Sequence, residues 1–121
     1  MATSMVTVTA EEITWKQRAA LHALTLLTEG REYISADDLH TVGEPPHPNM
    51  WGSLFQVRAL KQHLEFAGAF PSRRPERKAG LTRAWRLRPG HQGQALETMT
   101  ALKQAIEGEY QLQRELRGEL F

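Results

Sequence analysis

Three prolines in four positions, Pro45, Pro46 and Pro48, constrain this chain more than any other feature. Proline fixes its own φ and lacks the amide a helix ladder needs, so no helix crosses GEPPHPN, residues 43–49. The fold must be assembled from short elements on either side of a stiff loop. The chain has 121 residues, enough for one hydrophobic core and too few for two. Hydrophobic residues at 40% place it among globular rather than disordered chains.

The stretch before the loop reads as two helices. Residues 1–8 are a tail or a short edge strand. Thr9-Ala10-Glu11-Glu12 and Thr14-Trp15-Lys16-Gln17 both have capping-box spacing. The helix they open places Trp15, Ala19, Ala20, Ala23, Leu24, Leu26 and Leu27 on one apolar face, and Gly30 stops it. Tyr33-Ile34 reads as a very short strand. Ser35-Ala36-Asp37-Asp38 then caps a short second helix that closes at Gly43, with both aspartates favouring its positive end.

Beyond the prolines, a third helix is expected from Pro48 or Asn49 to about Phe66, ended by Gly68. Leu54, Val57, Leu60 and Leu64 form its core edge, while Ser53, Gln56, Lys61 and His63 lie wholly or partly outside. Ala69-Phe70 begins an extended segment, and Leu81 to Arg88 form the return strand. The two-residue period groups Leu81, Arg83, Trp85 and Leu87 on one face and Thr82, Ala84, Arg86 and Arg88 on the other, burying Trp85 and Leu87. Pro71 removes a ladder donor, which predicts a short or splayed pair of strands. From Gln94 onward one long helical pattern runs to the end.

Charge is distributed unevenly. Between Pro71 and Pro89 lie seven basic residues and one acid, a net +6, whereas the rest of the chain sums to −5. Such asymmetry is the footprint of a surface that meets phosphates or another acidic partner. Other classes find little support. No cysteine is present, so disulfides, thiol catalysis and cysteine-based zinc sites are excluded, and a reducing compartment fits. The five histidines show no HExxH or other tight ligand spacing, no serine sits in GxSxG, and no glycine loop resembles a phosphate cradle. No enzyme, metal or cofactor is expected. The start, MATSMVTVTAEE, lacks the features of a secretory signal, and no apolar run is long enough to span a membrane.

The order helix, strand, helix, helix, then two strands around a basic loop resembles the winged-helix domain, a helix-turn-helix variant. The residues that carry this resemblance are LKQHLEFAGAFPSRRPERKAGLTRAWRLRPG, residues 60–90, in which Leu64-Glu65, Gly68, Phe70, the loop 72–80, Trp85, Leu87 and Gly90 match the family's pattern. PPHPNMWGSLF is similar to segments of small helix-turn-helix proteins encoded by phages or mobile elements. The resemblance implies a mostly α fold with a small β-hairpin wing (α+β) over residues 9–90, followed by a C-terminal helix over 91–121. It further implies an intracellular, cytoplasmic DNA-binding regulator of transcription, prokaryotic or viral. In that family the third helix commonly enters the major groove and the wing touches the backbone or minor groove. Carried over, Asn49, Trp51, Ser53, Gln56, Arg58 and Lys61 would lie near bases, and Ser72, Arg73, Arg74, Arg77, Lys78 and Arg83 near phosphates.

Bland alternatives stand beside these roles. A charge run is usually a solvated face, and Trp51 can simply pack on Pro45, Pro46 or Pro48. The C-terminal helix could pack on its own domain or pair with a second copy through Leu102, Ile106, Leu112, Leu116 and Leu120. Its length, up to about 40 Å at the helical rise, favours a homodimer. A protein-interaction adaptor, or a phage counter-defence protein that binds a host factor through the proline loop and Trp51, is the competing function.

Overall fold

A computed structural model describes the backbone of residues 10–71 and 80–116, and the side chains of residues 11–71 and 80–108. It shows an α+β fold: helices around a small antiparallel sheet, with a long C-terminal helix. The first helix, α1, spans Ala10–Thr28. Trp15, Ala19, Ala20, Ala23, Leu24 and Leu27 are all buried, as their spacing requires. Small alanines on this face let neighbouring elements approach closely. The helix ends where Gly30 turns to a φ of +117°, with the Arg31 amide donating to the Leu26 carbonyl.

Strand β1 is only Ile34–Ser35. A 3-10 helix follows over Ala36–Val42. Asp38 organises this start: one oxygen accepts from the Ser35 amide at 2.8 Å and the other pairs with Arg31 at 2.8 Å. The proline loop is tied down behind it, because the Trp15 indole donates to the Gly43 carbonyl at 2.8 Å. Trp51 sits at the loop's exit. It meets Trp15 edge-on at 5.0 Å and stacks on His40 at 4.1 Å, which supplies the packing that the sequence assigned to the prolines.

The expected third helix is not continuous. Two short pieces replace it, α2 at Met50–Leu54 and α3 at Arg58–Lys61. Between them Val57 is extended (φ −66°, ψ 146°). The break lets Leu54 and Leu60 both enter the core while Phe55 stacks on Trp85 at 5.4 Å. The helical segment ends before Leu64, not at Gly68. Strand β2 takes Leu64–Pro71 and pairs with β3, Leu81–Leu87. Gly68 instead lies within β2 at a φ of +126°, where the register slips. Phe66 faces Trp85 and Gly68 faces Ala84, so Ala67 is the extra residue of a β-bulge. Pairing continues to Pro71 opposite Leu81, so the proline does not shorten the ladder.

The sheet order is β1-β3-β2, with β3 in the centre. Centrality explains a further departure: Ala84, grouped by alternation with the outward residues, is buried because it pairs with Ser35 on one side and Gly68 on the other. Trp85 and Leu87 are half-buried against the core, and Arg83 and Arg86 are exposed.

The last helix, α4, spans Gln92–Leu116, starting two residues earlier than expected. Ala95, Met99 and Leu102 recur at helical spacing and pack into the same core as α1. The Gln92 amide caps the Thr28 carbonyl at 3.1 Å. Leu102 is thus part of the chain's own core, and Ile106 is half-buried. The side chains of Leu112, Leu116 and Leu120 lie outside the described ones. No described helix is long and apolar enough to cross a membrane.

Candidate nucleic-acid interface

The β2–β3 hairpin carries the chain's basic segment. Its described part holds Arg83, Arg86 and Arg88, all exposed. Arg86 is committed to Glu65 on the neighbouring strand, at 2.6 Å, which removes its charge from the outward field. Arg83 has no counterpart of that kind opposite it, since its cross-strand partner is Ala69. Ser72, Arg73, Arg74, Arg77 and Lys78 lie outside the described residues, between the ends of the two strands. The hairpin is braced at its far end by Phe70, whose ring stacks on Tyr33 at 4.8 Å.

The candidate base-contacting residues fall into three groups. Asn49 and Ser53 are exposed, but the Ser53 hydroxyl donates back to the Met50 carbonyl at 3.2 Å. Arg58 and Lys61 are exposed on α3, beyond the break. Trp51 and Gln56 instead turn toward the hairpin and share a cleft of about 280 Å3 with Arg83. The structure therefore joins residues from α2 and β3 that the sequence had assigned to separate surfaces. Leu81, 62% exposed, and Trp85 form the hairpin side of this cleft. Phe66, 54% exposed, lies edge-on against Trp85 at 5.8 Å.

A second cleft, about 330 Å3, lies between the hairpin and the start of the 3-10 helix. Glu32, Asp37 and Asp38 line it along with Arg31. Among the described residues three carboxylates thus face one guanidinium, which is itself paired with Asp38, so the described lining is net acidic and unfavourable to a phosphate.

One buried polar cluster escaped sequence reasoning. His63 was expected outside the core and is only 4% exposed. Its Nδ1 lies 3.3 Å from Nδ1 of His91, and its Nε2 lies 2.8 Å from the Thr98 hydroxyl. Burial, and then the facing His91, hold this imidazole below its ordinary pKa. The cluster joins the end of the α3 region to the start of α4. Its only sequence signal was that His63 lies three residues after Leu60, on the same helical side. Among the described residues no group of three or more histidines, aspartates or glutamates could hold a metal ion.

No protein-family model, curated protein or solved structure matches the chain.

Proposed function

We propose that this protein is a winged-helix nucleic-acid-binding protein, with the β2–β3 hairpin as its wing and double-stranded DNA as its primary target. The observation that carries this reading is that six of the chain's fifteen lysines and arginines lie on or between the two strands of one antiparallel hairpin, with Arg88 directly after it. A polyanion is attracted to such a concentration even when the rest of the molecule is acidic. The order of elements supports the family assignment, as does the exposure of Asn49, Gln56, Arg58 and Lys61 on the segment that precedes the wing. Because α2 has only five residues, its reach along a groove is about 7.5 Å. Affinity in this reading comes mainly from phosphates, and base contacts are few. A role in regulating transcription belongs to the same proposal. So does a homodimer through the distal half of α4; among the described side chains, Ala95, Met99 and Leu102 seat its first three turns on the core.

The test is retention on a random-sequence DNA column. Substituting Arg73→Glu, Arg74→Glu, Arg77→Glu and Lys78→Glu together abolishes retention while the circular dichroism spectrum is unchanged. In the unsubstituted protein, about five neutralised phosphates give a log–log salt slope of roughly −4 to −5. Retention that survives the four substitutions, or wild-type protein that fails to bind at low salt, overturns the proposal.

A further inference from the structure

We infer that His63 and His91 form a proton-operated clasp: at neutral pH they hold the first two turns of α4 against the end of the sheet, and acidification parts them and frees those turns while the rest of the core stays closed. The inference is independent of the nucleic-acid reading. Three observations carry it.

The first is where the contacts fall. The backbone of His63 is fixed to the sheet, since its carbonyl accepts from the Arg88 amide, one residue beyond β3, at 2.8 Å. Its ring reaches the other way. Nδ1 lies 3.3 Å from Nδ1 of His91, and Nε2 lies 2.8 Å from the Thr98 hydroxyl. His91 directly precedes α4, where its carbonyl accepts from the Ala95 amide, and Thr98 stands in the second turn. Both polar contacts of one buried ring therefore land on the start of a single helix. Met99 and Leu102 seat the next stretch of α4 by apolar packing, which protons do not touch.

The second is the number of protons this arrangement admits. Two facing ring nitrogens make a hydrogen bond only when one carries a proton and the other a lone pair. The neutral pair satisfies that condition, and so does the pair with one added proton. Thr98 suits either tautomer, because a hydroxyl both donates and accepts. With a second added proton both Nδ1 atoms carry N–H, so donor meets donor and cation meets cation. His63 is only 4% exposed, so its charged ring reaches water only by opening.

The third is that the surroundings do not stabilise a second cation. Among the described residues no carboxylate is buried, so an imidazolium at His63 has none beside it in the interior. Glu65, two residues along on β2, pairs with Arg86 of β3 at 2.6 Å. Lys61 and Arg88, on either side, are themselves cations, and Glu97 of α4 and Glu29 after α1 are exposed. The positive end of α4 also disfavours a charged His91. Burial, and then His91, keep the His63 pKa below 6.5, so the clasp parts in mild acid.

The experiment is amide hydrogen exchange of the full chain at pH 7.5 and pH 5, each normalised to intrinsic exchange and repeated over 0 to about 1 M urea. Residues 92–98 are expected to exchange more than about threefold faster at pH 5. An opened His63 with the ordinary value of 6.5 is protonated about thirty to one at that pH, which caps the rise near thirtyfold. This exchange is nearly independent of urea and stays faster than that of residues 15–27 in α1, as a local opening requires. His63→Gln reduces the rise to less than about twofold. His91→Gln, at a half-buried position, reduces it without abolishing it, so the inference stays testable if His63→Gln fails to fold. His22→Gln responds as wild type. A wild-type rise below threefold, or a wild-type response in either clasp variant, overturns the inference. So does exchange of residues 92–98 that matches α1 in rate and urea dependence, because the whole domain then opens together.

Discussion

Two glycine-to-alanine substitutions should move stability in opposite directions. Gly68 has a φ of +126° at the β-bulge. An alanine Cβ there would sit 3.5 Å from two ring carbons of Phe70, an ordinary contact, so crowding adds almost nothing. The cost is in the backbone: holding a residue with a Cβ in this region takes about 1–3 kcal/mol. Lower entropy of the unfolded chain returns about 0.4–1 kcal/mol, as for any glycine-to-alanine change. The net loss is about 1–2 kcal/mol. At about 4 °C per kcal/mol for a domain of this size, Tm falls by about 4–8 °C. Gly52→Ala has no strain to offset the gain in helix propensity, so Tm rises by about 2–4 °C. Thermal unfolding followed by circular dichroism reads both values. A Gly68→Ala protein as stable as wild type, or more so, would show that the bulge does not hold this φ, and the hairpin register would have to be redrawn.

Leu60 is fully buried where α3 meets the core, so Leu60→Ala should cost about 2–5 kcal/mol in urea unfolding; a cost below about 1 kcal/mol would place α3 on the surface. Asp38→Ala strands the buried Ser35 amide and breaks the Arg31 pair, for a loss of about 1–3 kcal/mol in urea unfolding; a loss below about 0.5 kcal/mol would deny Asp38 its capping role. Acidification should destabilise the fold through His63. Its folded pKa lies below the ordinary 6.5, so in the window beneath 6.5 the unfolded chain binds more protons. Stability is then full above about pH 7 and falls as pH drops through that window, and His63→Gln should flatten this slope in Tm measured against pH. An unchanged slope would mean that His63 titrates alike in both states.

Legibility in the sequence followed the distance over which the chain decides its conformation. The buried face of α1 and its stop at Gly30 were readable because periodicity and a glycine lie within a few residues of each other. So was the capped 3-10 segment, where Ser35 and Asp38 are three apart. The region 50–71 was misread because Leu60 and Leu64 fit a helix while Leu64, Phe66 and Phe70 fit a strand equally well. The break at Val57 has no glycine or proline to announce it. Its cause is tertiary: Phe55 stacks on Trp85, thirty positions later. The basic hairpin was visible as a charge count. The cleft was not, because its walls come from residues 51–56 and 81–85, and no pattern in either stretch refers to the other.

The central position of β3 also orders the steps by which the sheet can assemble. Joining β2 to β3 closes a connection of nine residues, whereas joining β1 to β3 directly closes one of forty-five. A fivefold longer loop costs about 1.4 kcal/mol more in closure entropy, and a strand of two residues has little hydrogen bonding with which to offset it. The hairpin therefore forms first and acts as a template. Ile34 and Ser35 dock on it only after the intervening helices have shortened the search. On this route the hairpin is native-like while the core around α1 and α4 is still open, so substitutions in the hairpin should slow folding more than equally destabilising ones in β1.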